Sequence, residues 1–477
     1  MSDPNKTQFG VPPSVDPNRT QLGQPPLADP NRTQLGIPPS ADPNRTRAMQ
    51  GFDPLKTTAM SAVPPGKALT VEIIPGREAS MANGPAREQF LLELTAAGVS
   101  PGVGMGGGAA RTPLNLCLVI DRSGSMEGAP LEYVKQACDY VVDMLTPGDV
   151  LSIVTFEETV DVLMAPQRVT SKQPIKDGIR RLQPGNTTNL YDGLSLAMQQ
   201  VLQVQEPGRA TRMVVLTDGD PTAGIKDFGA LNQHASEIKN KGITCTFLGF
   251  GPDYNEELLA SLAKRAGGNY YYIPQPQMIP DVFRIELDKL MTTVARNMQL
   301  TVKPARWVTM RSPQVSTGNE VTIPLADLER GASLSQVFDF DFTNHPLGWY
   351  RVAAGRVTYE DLIQGKTETV DLDFVLEFTS DSARYSAPQD PRVAGAAQVA
   401  LASKVVEKTM MGLKTGAITQ MGAVQELQKT QMLLSSQGRA SEAQEVTMAL
   451  RAIQSGDSSG AEKTLMGTLH NLDQGKH

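Results

Sequence analysis

Leu114-Asn115-Leu116-Cys117-Leu118-Val119-Ile120 runs directly into Asp121-Arg122-Ser123-Gly124-Ser125-Met126. The first seven residues form a short apolar run, the pattern of a central parallel strand covered on both faces. A carboxylate and two hydroxyls then follow at alternate positions. Open parallel sheets bind their ligands at the carboxyl ends of the strands, and this is such an end.

Working outward, strands and amphipathic helices alternate. Leu131 to Leu145 has apolar residues at helical spacing and stops at Pro147-Gly148; Asp149 to Phe156 reads as a strand. Helices are expected over 190–204, 228–241, 255–266 and 279–294, and strands over 212–217, 243–249 and 270–273. This alternation predicts a doubly wound, mainly parallel α/β sheet.

Two more polar segments fall at strand or helix junctions of that sheet. Asp218-Gly219-Asp220 follows the strand ending at Thr217, and Gly185-Asn-Thr-Thr188-Asn-Leu-Tyr-Asp-Gly193 opens a helix. Carboxylates and hydroxyls without His or Cys are hard oxygen donors, suited to an octahedral Mg²⁺ or Mn²⁺ that keeps some of its waters. Asp192 and Asp220 read as a helix-start and a turn residue.

Asp121-x-Ser123-x-Ser125, Thr188 and Thr217-Asp218-Gly219 together resemble the metal-ion-dependent adhesion site of von Willebrand factor A domains, over roughly residues 111–296. The resemblance implies that Ser123 and Ser125 ligate the metal through their hydroxyls. Thr188 would ligate directly or through water, and Asp121 and Asp218 would do the same while anchoring the hydroxyls. It also implies that an acidic group from a protein partner completes the coordination, so that binding depends on the metal.

Other chemistries fit these residues poorly. A haloacid-dehalogenase phosphatase needs Asp where Ser123 stands. An EF-hand loop from Asp121 would place Met126 where glycine makes the sharp turn. Gly102-Val-Gly104-Met-Gly-Gly107 precedes a strand instead of opening a helix, so it reads as a junction, not a dinucleotide fingerprint. No nucleophile comes with a base, and the protein is expected not to be an enzyme.

The first sixty residues carry one unit written five times. Asp3-Pro-Asn-Lys-Thr7-Gln-Phe-Gly10 returns around Thr20, Thr33 and Thr46, and in degenerate form at Thr57. Thirteen of the chain's 34 prolines fall before Gly66, so the stretch lacks the apolar content to offset ordering and is expected to be disordered. Each Thr follows a basic residue, the layout of a short motif displayed several times for avidity. The Thr-Gln centre resembles phosphothreonine sites read by forkhead-associated domains in bacterial kinase circuits. Thr7, Thr20, Thr33, Thr46 and Thr57 are thus candidate phosphorylation sites for a Ser/Thr kinase; a plain tether is the alternative.

β-rich stretches flank the α/β unit: 68–74 and 89–94 before it, and five runs between 298 and 379 after it. We expect these to form one β-sandwich into which the α/β domain is inserted, an arrangement similar to that of bacterial proteins resembling the inter-alpha-inhibitor family. Trp307, Trp349, Tyr350 and Phe342 read as its core. Beyond Pro391 aromatic residues vanish, and helices are expected over about 392–413, 417–436, 439–454 and 458–472, with Met410, Met411, Met421, Met432, Met448 and Met466 as core filler. The expected organisation is 1–62 repeats, 63–110 first sandwich part and linker, 111–296 α/β domain, 297–384 second sandwich part, and 385–477 helical region.

The 477 residues carry a formal charge of −7, which argues against a nucleic-acid partner. Four His and three Cys leave little room for a zinc site or a disulfide framework. No run approaches the ~18 apolar residues of a membrane span, and no leader pattern is visible, so a cytoplasmic location is expected. The functional expectation is a metal-dependent protein–protein adaptor in bacterial signalling or complex assembly. The alternatives are a non-catalytic partner of an AAA-type ATPase and, less favoured, a metal-dependent hydrolase.

Overall fold

The computed structural model describes residues 67–97, 112–206, 208–251 and 254–477. The repeats with Thr7, Thr20, Thr33, Thr46 and Thr57, and the glycine string 102–107, lie outside the described residues.

In chain order, β1 (Leu69–Pro75), β2 (Ala79–Met81) and β3 (Ala86–Ala96) come first. The α/β region follows with β4 (Leu114–Asp121), α1 (Ala129–Met144), β5 (Val150–Phe156), β6 (Val160–Arg168), α2 (Lys172–Arg180), α3 (Leu190–Leu202) and β7 (Ala210–Thr217). It closes with α4 (Phe228–Asn240), β8 (Thr244–Phe250), α5 (Glu256–Ala266), β9 (Gly267–Ile273) and α6 (Ile279–Thr292).

The sheet order is β6-β5-β4-β7-β8-β9, parallel throughout except for β6. β4 sits near the centre, buried along its whole length. Its side chains alternate between two apolar layers. Leu116, Leu118 and Ile120 pack with Val134 and Val141 of α1 and Phe283 and Leu287 of α6. Cys117 and Val119 pack with Leu194 of α3, Leu231 of α4 and Leu259 of α5. A strand covered by helices on both faces has no polar side to show, which is why 114–120 reads as one apolar run.

β6 and α2 are absent from the sequence reading. Val162 and Leu163 stay exposed on this edge strand, and its apolar run, Val162 to Ala165, is only four residues long, does not alternate and ends at Pro166.

The remaining strands are β10 (Thr293–Pro304), β11 (Val308–Ser312), β12 (Ser316–Thr317), β13 (Val321–Pro324), β14 (Leu328–Glu329), β15 (Ser333–Phe342), β16 (Gly348–Asp361) and β17 (Lys366–Thr379). With the first three they make two facing sheets, β1-β3-β15-β11-β12 and β13-β10-β16-β17-β2, with β14 paired to β10. β3 pairs with β15 over ten residues, from Thr95–Ser333 to Ala86–Phe342, so segments far apart in sequence share one sheet.

Phe338, Phe340 and Phe342 of β15 face inward, and the ring of Phe374 in β17 meets those of Phe90, Phe338 and Phe340 at 5.2–5.7 Å. Between them, Asp339 and Asp341 are held by Arg87 and Arg311. The four aromatics expected in this core divide. Phe342 and Tyr350 are buried in it and Trp307 packs against it, 3.9 Å from the His345 ring. Trp349 is half-exposed: strand alternation turns it away from the face that Tyr350 occupies.

The chain ends in α7 (Ser382–Tyr385), α8 (Pro391–Lys414), α9 (Gln420–Ser436), α10 (Ala440–Ser455) and α11 (Ser458–Gln474). α8 to α11 share an apolar core of their own. α8 also covers the outer face of the first sheet, where Val393 meets Ile74, Leu91 and Val337. α11 is tied to the α/β domain by Lys463, which donates to Tyr254 O and Glu256, both at 2.8 Å.

The methionine expectation is corrected here. Met410 is buried and Met466 packs against two cores, but Met411, Met421, Met432 and Met448 are 40–74% exposed. Ala, Val and Leu fill the inward positions of these helices. The low aromatic content of the region goes with close packing of these smaller side chains.

Candidate metal centre

β4 and β7 are adjacent parallel strands in register Ile120–Leu216, so Asp121 and the pair Thr217-Asp218 emerge side by side. The chain after Asp121 turns sharply through a 3-10 turn at Gly124–Met126. Asp121 Oδ1 accepts from the Ser123 N–H at 2.8 Å, an Asx-type bond that folds the turn back on the strand end. Buried Met126 pins the turn to the layer beneath.

The polar atoms form a connected chain. The Ser123 and Ser125 hydroxyls are 3.1 Å apart, and Ser125 Oγ donates to Asp218 Oδ1 at 2.7 Å. Thr217 Oγ1 donates to Asp121 Oδ2 at 2.5 Å. Thr188 stands across the turn, its hydroxyl 3.7 Å from where a Cβ on Gly219 would sit. Asp121, Ser123, Thr188, Thr217 and Asp218 are buried; Ser125 is exposed, which leaves the cluster open on one side.

Backbone contacts between the loops hold this arrangement. Gly185 N–H donates to Arg122 O at 2.5 Å and Gly124 N–H to Asn186 O at 3.3 Å. Thr188 N–H donates to the Thr222 hydroxyl at 2.8 Å, and Thr222 N–H returns to Thr188 O at 3.0 Å. Asn189 caps α3 and shares its amide with Asp192, so Asp192 serves the helix start and stays outside the cluster.

Burial raises the Asp121 carboxyl to about 7, against the bonds from Thr217 and Ser123 that favour its charged form; neighbouring Asp218 adds to the rise. A cation is the charge that would offset this cost. Among the described residues no three His, Cys, Asp or Glu side chains gather as a metal site. The donors here are two carboxylates and three hydroxyls, oxygen ligands suited to a divalent cation.

One supporting group has no sequence signal. Glu157, just past β5, accepts from Asn186 N–H at 3.1 Å and pairs with Arg122 at 3.3 Å, while Arg122 also reaches Asp161 at 2.9 Å. Backbone N–H groups of Glu158 and Asn186 hold the Glu157 carboxylate below its ordinary range. The residue braces the loop that bears Thr188, 31 positions further along the chain.

A serine and a histidine meet elsewhere, also unannounced by the sequence. Ser195 Oγ lies 3.1 Å from His234 Nε2. The hydroxyl donates to Tyr191 O, one helical turn back, at 2.9 Å, so it accepts from the imidazole. Burial lowers the His234 pKa and Tyr191 stacks on its ring at 4.6 Å. This is a helix–helix packing contact, not an activated nucleophile.

Residues 115–284 match the family described as the von Willebrand factor type A domain. An uncharacterized protein of Synechocystis sp. is 29% identical over 54% of this chain and 64% of its own length. Inter-alpha-trypsin inhibitor heavy chain H4 of Bos taurus is 27% identical over 38% of this chain and 21% of its own. The chain thus spans less than two thirds of either relative. Among solved structures, a von Willebrand factor type A protein from Catenulispora acidiphila superposes with a TM-score of 0.63 at 17% identity, covering 80% of this chain and 89% of that one. That likeness extends past the α/β sheet into the flanking parts. The chain carries a von Willebrand factor type A domain, a member of a family of metal-dependent protein-interaction modules, set within a larger architecture of sandwich and helices.

Proposed function

We propose that this protein is a metal-dependent protein–protein adaptor. Asp121, Ser123, Ser125, Thr188 and Asp218 would hold Mg²⁺, or Mn²⁺, and the remaining coordination position would be filled by an acidic side chain of the partner. The observation that carries this reading is the set of carboxylates and hydroxyls across two adjacent strand ends, linked through the Ser123 N–H and open where Ser125 is exposed. Ile225 and Phe228, 44% and 48% exposed on and just after the loop that follows Asp218, add apolar area of the kind protein interfaces use.

The second half of the reading concerns the repeats. Phosphorylation of Thr7, Thr20, Thr33, Thr46 and Thr57 by a Ser/Thr kinase would create five sites for a forkhead-associated reader, joining a signalling partner to the one held by the metal. A cytoplasmic setting belongs to the same proposal and is supported by three buried, unpaired thiols. Among the described residues no helix is long and apolar enough to cross a membrane.

The test is an affinity capture from native lysate, washed in parallel with Mg²⁺ and with EDTA, beside Asp218→Ala. A protein held only with the metal, and lost in the variant, supports the adaptor reading. Retention that ignores both overturns it and moves attention to residues 1–62.

A further inference from the structure

At the opposite end of the sheet from the strand ends just described lies a cleft of about 1010 Å³. It opens where the chain enters β8 and β9, and its far walls come from β10 and α11, so all three parts of the fold contribute. The volume is at the upper end of what small-molecule sites occupy.

Its charge runs against that of the whole chain. Five cationic side chains line it, Lys239, Lys241, Lys264, Arg265 and Arg296, against two anionic ones, Glu360 and Asp473. Arg296 is held by Glu360 at 2.7 Å and Lys264 by Asp473 at 2.8 Å. Lys239, Lys241 and Arg265 are left in excess, a local positive field in a protein of formal charge −7.

Lys239 is the distinctive member. Its ammonium is buried and makes no hydrogen bond among the described residues; it is paired only loosely with Asp327 Oδ1, 3.8 Å away, while Arg212 takes the other oxygen, Oδ2, at 2.8 Å. A buried donor without an acceptor is costly; the side chain is 20% exposed along the cleft, and turning its ammonium out toward a ligand oxygen there would remove that cost. The space it occupies depends on Gly267. A Cβ there would come within 2.6 Å of Lys239 Nζ, and the backbone φ of +69° is one glycine takes without strain. The exposed side chains of Lys241 and Arg265 stand at the mouth.

We infer that this cleft binds a small phosphate-bearing ligand, with Lys239 contacting it from the floor and Lys241 and Arg265 from the mouth. Three excess cations within one cleft match the concentrated charge of phosphate groups, which a monocarboxylate does not supply. The site is separate from the metal centre and does not depend on it.

The probe is inorganic pyrophosphate, titrated calorimetrically into the full chain in EDTA. Saturable binding is expected, weakened about tenfold in Lys239→Gln and in Arg265→Gln and left unchanged in Asp218→Ala. Arg265 is exposed, so its variant remains informative should Lys239→Gln fold poorly. Absence of saturation at about 10 mM pyrophosphate overturns the inference. So do wild-type affinity in the cleft variants and loss of binding in Asp218→Ala. A polyglutamate peptide that binds where pyrophosphate does not would also overturn it, by assigning the cleft to an acidic protein segment.

Discussion

Thr217 donates its hydroxyl to Asp121 at 2.5 Å, and this bond joins the carboxyl ends of two adjacent strands with both side chains buried. The threonine contributes no carboxylate, yet it fixes the orientation of one that burial makes hard to keep ionised. Thr217→Val should therefore lower Mg²⁺ affinity by about tenfold and stability by about 1–3 kcal/mol, because a buried carboxylate oxygen loses its donor. Titration calorimetry and urea unfolding measure the two effects; unchanged Mg²⁺ affinity would remove Thr217 from the site.

Gly185→Ala should weaken the same centre from a distance. A Cβ at 185 would come within 2.6 Å of the Glu157 carboxylate, which would have to leave Asn186 N–H and loosen the loop carrying Thr188. The expected outcome is a several-fold loss of Mg²⁺ affinity with near-wild-type thermal stability. Glu157→Gln, which keeps the shape, should lose less.

Arg212→Met addresses the joint between domains. Arg212 of β7 is 2% exposed and meets Asp327, on the segment between β13 and β14, at 2.8 Å. Removing one partner of a buried pair costs about 3–5 kcal/mol. Calorimetry should show a lower transition temperature and separate unfolding of the sandwich and the α/β domain. A single transition at the wild-type temperature would contradict a coupling role.

Glu445 sets a pH dependence. Burial between α10 and α11 raises its carboxyl to about 7, with Glu442 adding to the rise and Lys289 and bonds from Thr468 and Asn471 opposing it. A carboxyl whose folded pKa is raised is favourable while protonated. Its contribution is present below the unfolded value near 4.5 and is lost as pH climbs through about 7. The Glu445 share of the stability lost between pH 5 and 8 should be up to about 3 kcal/mol in urea unfolding, and Glu445→Gln should reduce the slope by that share, leaving the part that Asp121 contributes.

Replacing Thr7, Thr20, Thr33, Thr46 and Thr57 together with Val should leave Mg²⁺ affinity unchanged and remove phosphate incorporation by a Ser/Thr kinase at the repeat positions, while Ser2, Ser14, Ser40, Thr58 and Ser61 remain. A changed metal affinity would mean that the repeats engage the metal domain.

Much of the α/β region is legible because its signals are local. A strand buried on both faces must be apolar throughout, and its end must turn polar, so 114–125 displays both the fold and the candidate site in twelve residues. Parallel sheets bring successive strand ends to one edge, which allows Asp121 and Asp218 to be paired from order alone. Edge strand β6 escaped for the opposite reason: Val162 and Leu163 face solvent, and no burial imposes a pattern on them. Trp349 and the four exposed methionines show the same limit. Composition states how much apolar surface exists, and only helix phase and strand alternation state which way it points.

By itself the sequence determined the alternation of strands and helices, the chemistry of the donors and the presence of a five-fold Thr motif, all of which reside in neighbouring residues. Tertiary structure decided what depends on long-range contact. It set β3 beside β15, placed Glu157 under the Thr188 loop, turned Ser195 and His234 into a packing contact, and gathered Lys239, Lys241 and Arg265 around a cleft. Beyond the ends of successive parallel strands, side chains tens to hundreds of residues apart carry little mark of which residue they will meet. Their meeting is settled by which apolar faces can be buried together, and the polar groups go where that burial takes them.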